Sequence, residues 1–261
     1  MAKFVPLSRQ QHGDKTWKRP DTYRFAAQEA LAPVVGLEAA TAAVNMPMAF
    51  TKEGEGYQLV AMLSFAPKTN LFVNDHGKWV GSYIPATFRS YPFRLLRVDG
   101  QDKLVLCIDE ESEFIKDGLG EEIFFDGGNQ PSKAVTQIGE FLKQLEQSRQ
   151  TTAFAVSALA EAGVMAPWPI KVKNGDKETP VTGIYRIDEK ALNQLDTEQF
   201  EKLRKVGAVP LAYAQLISMA RLEVLQRLAE FHQKRRDDPA ATSRETELDF
   251  LNPVQDDTLI F

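Results

Sequence analysis

Between Met46 and Asp109 the chain writes one pattern three times, two apolar runs around a short polar turn. A segment punctuated this way buries its apolar runs most simply by pairing them antiparallel. Met46–Thr51 and Tyr57–Phe65 flank Lys52-Glu53-Gly54-Glu55-Gly56; Asn70–Val73 and Lys78–Val80 flank Asn74-Asp75-His76-Gly77; Pro92–Val98 and Lys103–Asp109 flank Asp99-Gly100-Gln101-Asp102. Glycine and aspartate sit in these turns where positive φ is tolerated. Between the second and third pairs, Pro85 suits the start of a single helical turn within Tyr83–Tyr91.

Helical spacing frames this block. Val34, Val35, Leu37, Ala40 and Val44 predict a short helix over Pro33–Val44, stopped by Asn45 and Pro47. After the turn Asp126-Gly127-Gly128-Asn129-Gln130-Pro131, Ala134, Ile138, Phe141 or Leu142, and Leu145 share one face, and a second segment runs on through Phe154, Val156, Leu159 and Ala160. Gly163 and Pro167-Trp168-Pro169 end it. Ile170–Lys173 and Val181–Ile187 are expected to form another hairpin. Asp188 opens helical patterns through Leu192, Leu195, Phe200 and Leu203, and a broad apolar stripe predicts a last helix over about Pro210–Phe231. The expected fold class is α+β, a predominantly antiparallel sheet built from hairpins and covered by the helices of the C-terminal half. The expected organisation is one domain over residues 1–236, with 1–21 as an extended arm laid over the body. Residues 237–261 read as a mobile polar tail with an apolar end at Phe250-Leu251 and Leu259-Ile260-Phe261.

Composition narrows the function classes. With 36 acidic against 31 basic residues the net charge is −5, which argues against nucleic acid as a partner. Cys107 is the one cysteine and lies in the apolar run Leu104–Ile108, where it reads as a small buried hydrophobe. The first residues lack the apolar stretch of a secretory signal, and no segment approaches the roughly 18 uncharged apolar residues of a bilayer span. A cytoplasmic protein without membrane insertion is expected.

No motif of recognisable chemistry is present in strong form. His12-Gly13-Asp14 has the spacing of two facial-triad ligands but falls in the arm, and His76 and His232 read as exposed structural residues. Asp109-Glu110-Glu111-Ser112-Glu113 offers oxygen ligands without EF-hand spacing, and Asp109 is its member nearest the core. Phosphate-loop, dinucleotide-binding, nucleophile-elbow and zincin motifs are absent, so no cofactor is expected. The richest stretch is Asn70 to Phe93, with Phe72, Trp79, Tyr83, Phe88, Tyr91 and Phe93 around Arg89. Such a mixture suits an aromatic-walled groove with one fixed cation, and it equally suits sheet-core packing with Arg89 paired to a carboxylate. Both remain open at this point.

The same stretch carries a resemblance. Asn70-Leu71-Phe72-Val73, Gly77-Lys78-Trp79, Tyr83-Ile84-Pro85-Ala86 and Arg89-Ser90-Tyr91-Pro92-Phe93 resemble the signature of the SapC family of bacterial proteins. Ile108-Asp109, Ile123-Phe124-Phe125-Asp126, Gly183-Ile184-Tyr185 and Ser218 extend the likeness along nearly the whole chain. The resemblance implies a context of surface-layer or outer-membrane protein export or assembly, and implies no reaction. The first expectation is a non-catalytic accessory protein that binds a peptide or protein partner through Asn70, Phe72, Trp79, Tyr83, Arg89, Tyr91, Phe93 and Asp109. The alternative is an enzyme, or the obligate subunit of an oxygenase-type enzyme, acting on amino-acid side chains with Arg89 gripping a carboxylate and Asp109 as acid, base or metal ligand.

Overall fold

The first hairpin closes at Gly54, whose φ of +57° is a conformation that glycine adopts without strain. Strand Met48–Glu53 then lies against Gly56–Met62 with Phe50 opposite Leu59 and Met48 opposite Ala61. A computed structural model of the chain describes residues 3–97, 103–118, 120–127, 129–174 and 177–237. The fold is α+β, and every strand pair among the described residues is antiparallel. Two units make up the chain, one from Met1–Asp21 and Ala86–Ser148, the other from Thr22–Pro85 and Arg149–Phe261. Of the tail expected over 237–261, all but Asp237 lies outside the described residues, as do the turn residues 98–102 and Gly128.

In the first unit, residues 3–21, expected as an extended arm, supply two strands and the buried side chains of His12, Thr16 and Trp17. Phe4–Pro6 pairs with Leu104–Asp109, which pairs in turn with Phe93–Arg97. Lys15–Trp17 is the middle strand between Ile115–Asp117 and Glu122–Ile123. Trp17, only 2% exposed, meets Phe93 edge-on at 4.8 Å between ring centroids. Phe124 and Ile108 join them, and Val135 and Leu142 from the start of helix Lys133–Glu161 close the core, with Ala134, Ile138, Phe141 and Leu145 packed against it. The three- and four-residue spacing read from the sequence is the spacing that faces this core. That helix is continuous for 29 residues instead of two segments, and Gly163, at φ +67°, follows its end.

The second unit is built on a five-stranded sheet in the order Met165–Pro167, Ile184–Ile187, Met48–Glu53, Gly56–Met62, Leu31–Pro33. The hairpin expected from Ile170–Lys173 with Val181–Ile187 is corrected. Lys171–Asn174 pairs with Lys177–Pro180, and Ile184–Ile187 instead enters the sheet with Ile184 opposite Thr51 and Tyr185 opposite Phe50. The local turn serves the nearer run, and the apolar run buries itself in the sheet where more apolar area is lost to water.

At the far end of that strand pair a side chain stands in for the ladder. Gln215 of helix Ala208–Ser218 is fully buried; its Oε1 accepts from the Ile187 N–H at 2.9 Å and its Nε2 donates to the Met48 carbonyl at 3.1 Å. Ser218 Oγ accepts from the Met48 N–H at 2.9 Å and donates to the Gln215 carbonyl. These bonds satisfy main-chain groups that burial would otherwise leave unpaired.

The last helix expected from the sequence is two, Ala208–Ser218 and Leu222–Asp237, joined by the 3₁₀ turn Met219–Arg221. The helical run Ala208–Arg235 is long and apolar enough to cross a membrane by length and composition alone, and Leu211, Ala212, Leu225 and Leu228 within it are buried in the protein. The Asp188 start is as expected, its carboxylate capping Glu189–Asn193 by accepting from the Lys190 and Ala191 N–H groups.

Candidate functional site

The eight residues singled out from the sequence fall into both units, four in each. In the second unit, Asn70 is 4% exposed and ties its loop down: Nδ2 donates to the Ala26 carbonyl at 3.0 Å and Oδ1 accepts from the Phe72 N–H at 2.9 Å. The expected second hairpin shrinks to one bridge, Val73 opposite Trp79. The cause lies in its turn, where Asn74 Oδ1 takes the N–H groups of His76 and Lys78, so the chain curls instead of extending. Gly77 has φ +77°, and a Cβ there would lie 2.5 Å from the Arg24 side chain. His76 is exposed, as read from the sequence.

Phe72 is buried and stacks on Trp79 with 5.4 Å between centroids and 17° between planes. Tyr23 approaches Trp79 edge-on at 5.8 Å, and the indole N–H donates to the Tyr83 carbonyl at 2.8 Å. The Tyr83 hydroxyl in turn donates to Glu38, a buried carboxylate that also accepts from the Val35 N–H at the start of helix Gly36–Ala43. Gly81 admits no side chain without displacing these rings, since its Cβ would meet Trp79 at 3.1 Å and Phe72 at 3.2 Å. The result is an indole fixed on one face, at one edge and through its N–H, in a residue that is half-buried. An immobilised aromatic loses little conformational freedom on meeting a partner.

In the first unit, Phe93 is fully buried beside Trp17 and belongs to the core. Arg89 ends the single helical turn Ala86–Arg89 and sets its guanidinium 5.4 Å from the centre of the Phe141 ring. Asp109, 3% exposed, is a junction: Oδ1 accepts from the Lys3 N–H at 2.8 Å, Oδ2 from the Tyr91 hydroxyl at 2.7 Å. Burial, the largest influence, pushes the Tyr91 phenol up to about 12, which keeps it a hydroxyl donor throughout the physiological range. Both Asp109 oxygens are thereby held by groups that fix the first strand and the residues before Phe93.

His12, placed by the sequence in a solvated arm, is 1% exposed in the helical turn Arg9–His12. Its Nδ1 lies 3.1 Å from the Ser8 N–H, while Nε2 sits 3.8 Å from Glu110 and has no hydrogen-bond partner. Burial pulls its pKa below the ordinary 6.5 and outweighs the opposing pull of the Ser8 backbone and Glu110. A base whose folded pKa is depressed supports the fold above its unfolded pKa, and that support is lost as pH falls below about 6.5. His12→Phe is expected to flatten the fall in stability between neutral pH and about pH 5, measured by urea denaturation at several pH values. An unchanged slope would show that other groups set the acid limit.

The sequence reading gave no weight to Glu38 or Gln215. A lone glutamine inside an apolar stripe was the available signal for Gln215; Glu38 had none, because its partner Tyr83 is 45 residues away. Among the described residues no group of three or more His, Cys, Asp or Glu is arranged to hold a metal ion. The family model for SapC matches residues 7–225 of the chain. No curated protein and no solved structure matches it.

Proposed function

Because the chain belongs to the SapC family, we propose that it is a non-catalytic accessory protein that binds a peptide or protein partner through the Trp79 surface. The setting we propose is cytoplasmic, in the export or assembly of surface-layer or outer-membrane proteins, and the helical run Ala208–Arg235 is read as core rather than as a membrane span. One observation carries the binding role, the indole of Trp79 held by Phe72, Tyr23 and Tyr83 in a residue that is only half-buried. Rigid, half-exposed aromatics are the residues that most often dominate the affinity of an interface. An enzymatic role for Asp109 is the weaker reading, because its oxygens already serve Lys3 and Tyr91.

The test is capture of partners by the tagged protein from its own cells at low salt, with bound proteins, small molecules and metals identified by mass spectrometry. Trp79→Ala is expected to weaken the partner's binding by about tenfold or more while the melting temperature shows the protein folded. A partner held equally by the wild type and Trp79→Ala would remove the aromatic surface from the account. A retained metal or small molecule would move the weight to the enzyme.

A further inference from the structure

Within the second unit, a cavity of about 250 Å³ opens beside the Asn70 loop, and its wall draws on the final helix, some 160 residues further along the chain. It differs from the Trp79 surface in chemistry. Its lining mixes Ala27, Leu71 and Val73 with the polar groups Thr69, Asn70, Asp75, His232 and Arg235. The Arg235 side chain is 19% exposed, and its guanidinium lies 5.6 Å from the centre of the Phe231 ring. Asp75 meets it at 3.3 Å but is 70% exposed, so it stands at the rim. His232 Nε2 lies 2.8 Å from the Leu71 carbonyl, which accepts only; the proton is therefore on Nε2, and the helix is pinned to the wall of the cavity.

We propose that this cavity binds a carboxylate carried on a small apolar body, with Arg235 as its anchor. A guanidinium presents two parallel N–H donors that match a carboxylate's two oxygens. The Asp75 contact that such a ligand displaces is a rim ion pair with its carboxylate exposed, and exposed ion pairs hold weakly, so displacement costs little. A phosphate dianion fits less well, since Asp75 repels it and, among the described residues, no second arginine or lysine lines the cavity. The volume suits a single short side chain and its acid group, and Ala27, Leu71 and Val73 in the lining are the residues available to its apolar part. The acid is supplied either by the end of a polypeptide or by a free short-chain acid, and the chemistry is the same for both.

Titration followed by NMR of the Arg235 Nε–H and the His232 ring, with probes in the millimolar range, tests this directly. N-acetylalanine stands for a chain end, isobutyrate for a free acid, and N-acetylalanine amide for the same body without charge. At least one acid is expected to bind about tenfold more tightly than the amide, and the tighter acid identifies the source. Arg235→Gln is expected to lose about tenfold or more, Arg235→Lys to fall between, and Asp75→Asn to bind more tightly because the competing carboxylate is gone. Equal binding of acid and amide overturns the proposal, as do wild-type affinity in Arg235→Gln, weaker binding in Asp75→Asn, or no response from either acid. The Trp79 reading stands or falls separately, since none of these probes tests it.

Discussion

Gln215→Leu is expected to destabilise the protein by about 3–5 kcal/mol, because it leaves two buried main-chain groups without partners at about 1–3 kcal/mol each and fills the space between them. The groups are the Ile187 N–H and the Met48 carbonyl, which face each other across the sheet but bond to the glutamine amide instead of to one another. Leucine has nearly the same bulk, so the strands cannot close the gap it occupies. Denaturant unfolding measures the loss, and hydrogen exchange locates it: the Ile187 amide should exchange far faster in the variant. Gln215→Glu keeps an acceptor for Ile187 and loses the donor to Met48, so it separates the two halves of the effect. A loss under about 1 kcal/mol for Gln215→Leu would mean that water or strand movement replaces the amide.

The second large effect is at Trp17. Trp17→Ala is expected to cost about 3–5 kcal/mol, the range for truncating a large aromatic in a packed core. Phe93, Phe124 and Ile108 all lose their neighbour, and the first helical turns of Lys133–Glu161 lose the surface they cover. Trp17→Phe should cost much less, since the indole N–H is buried without a hydrogen-bond partner and its removal sacrifices no bond. Denaturation curves for the two variants give the comparison. Equal losses would show that the indole N–H matters after all, through a group such as an ordered water.

What the sequence made legible was what it encodes locally. The Met48–Met62 hairpin was readable because a glycine turn and two apolar runs lie within fifteen residues, and the strands Phe93–Arg97 and Leu104–Asp109 likewise. Ile184–Ile187 was assigned the wrong partner because its true neighbours, Met48–Glu53 and Met165–Pro167, leave no mark near it. Phe4–Pro6 and Lys15–Trp17 are three residues each, too short for any period to show, so a core segment read as an arm. For the site, aromatic density could not separate Phe72 and Phe93, which are buried, from Trp79, which is partly open. Asp75, His232 and Arg235 were invisible as a group, since only the folded chain brings the Asn70 loop to the final helix.

The discontinuity of the first unit sets an order of events during synthesis. Its opening strand leaves the ribosome first, but the Asp109 carboxylate that receives the Lys3 N–H is made 106 residues later. At ribosomal speeds of about 5–20 residues per second, Phe4–Pro6 and Trp17 wait roughly 5–20 s for their sheet and core. The second unit waits longer, since it closes only after residues beyond Arg149 have emerged. Nascent chains halted before residue 93 therefore carry Trp17 and the first strand with none of their core partners Phe93, Ile108, Phe124, Val135 and Leu142 yet made, and those chains are where a holdase chaperone has most to bind.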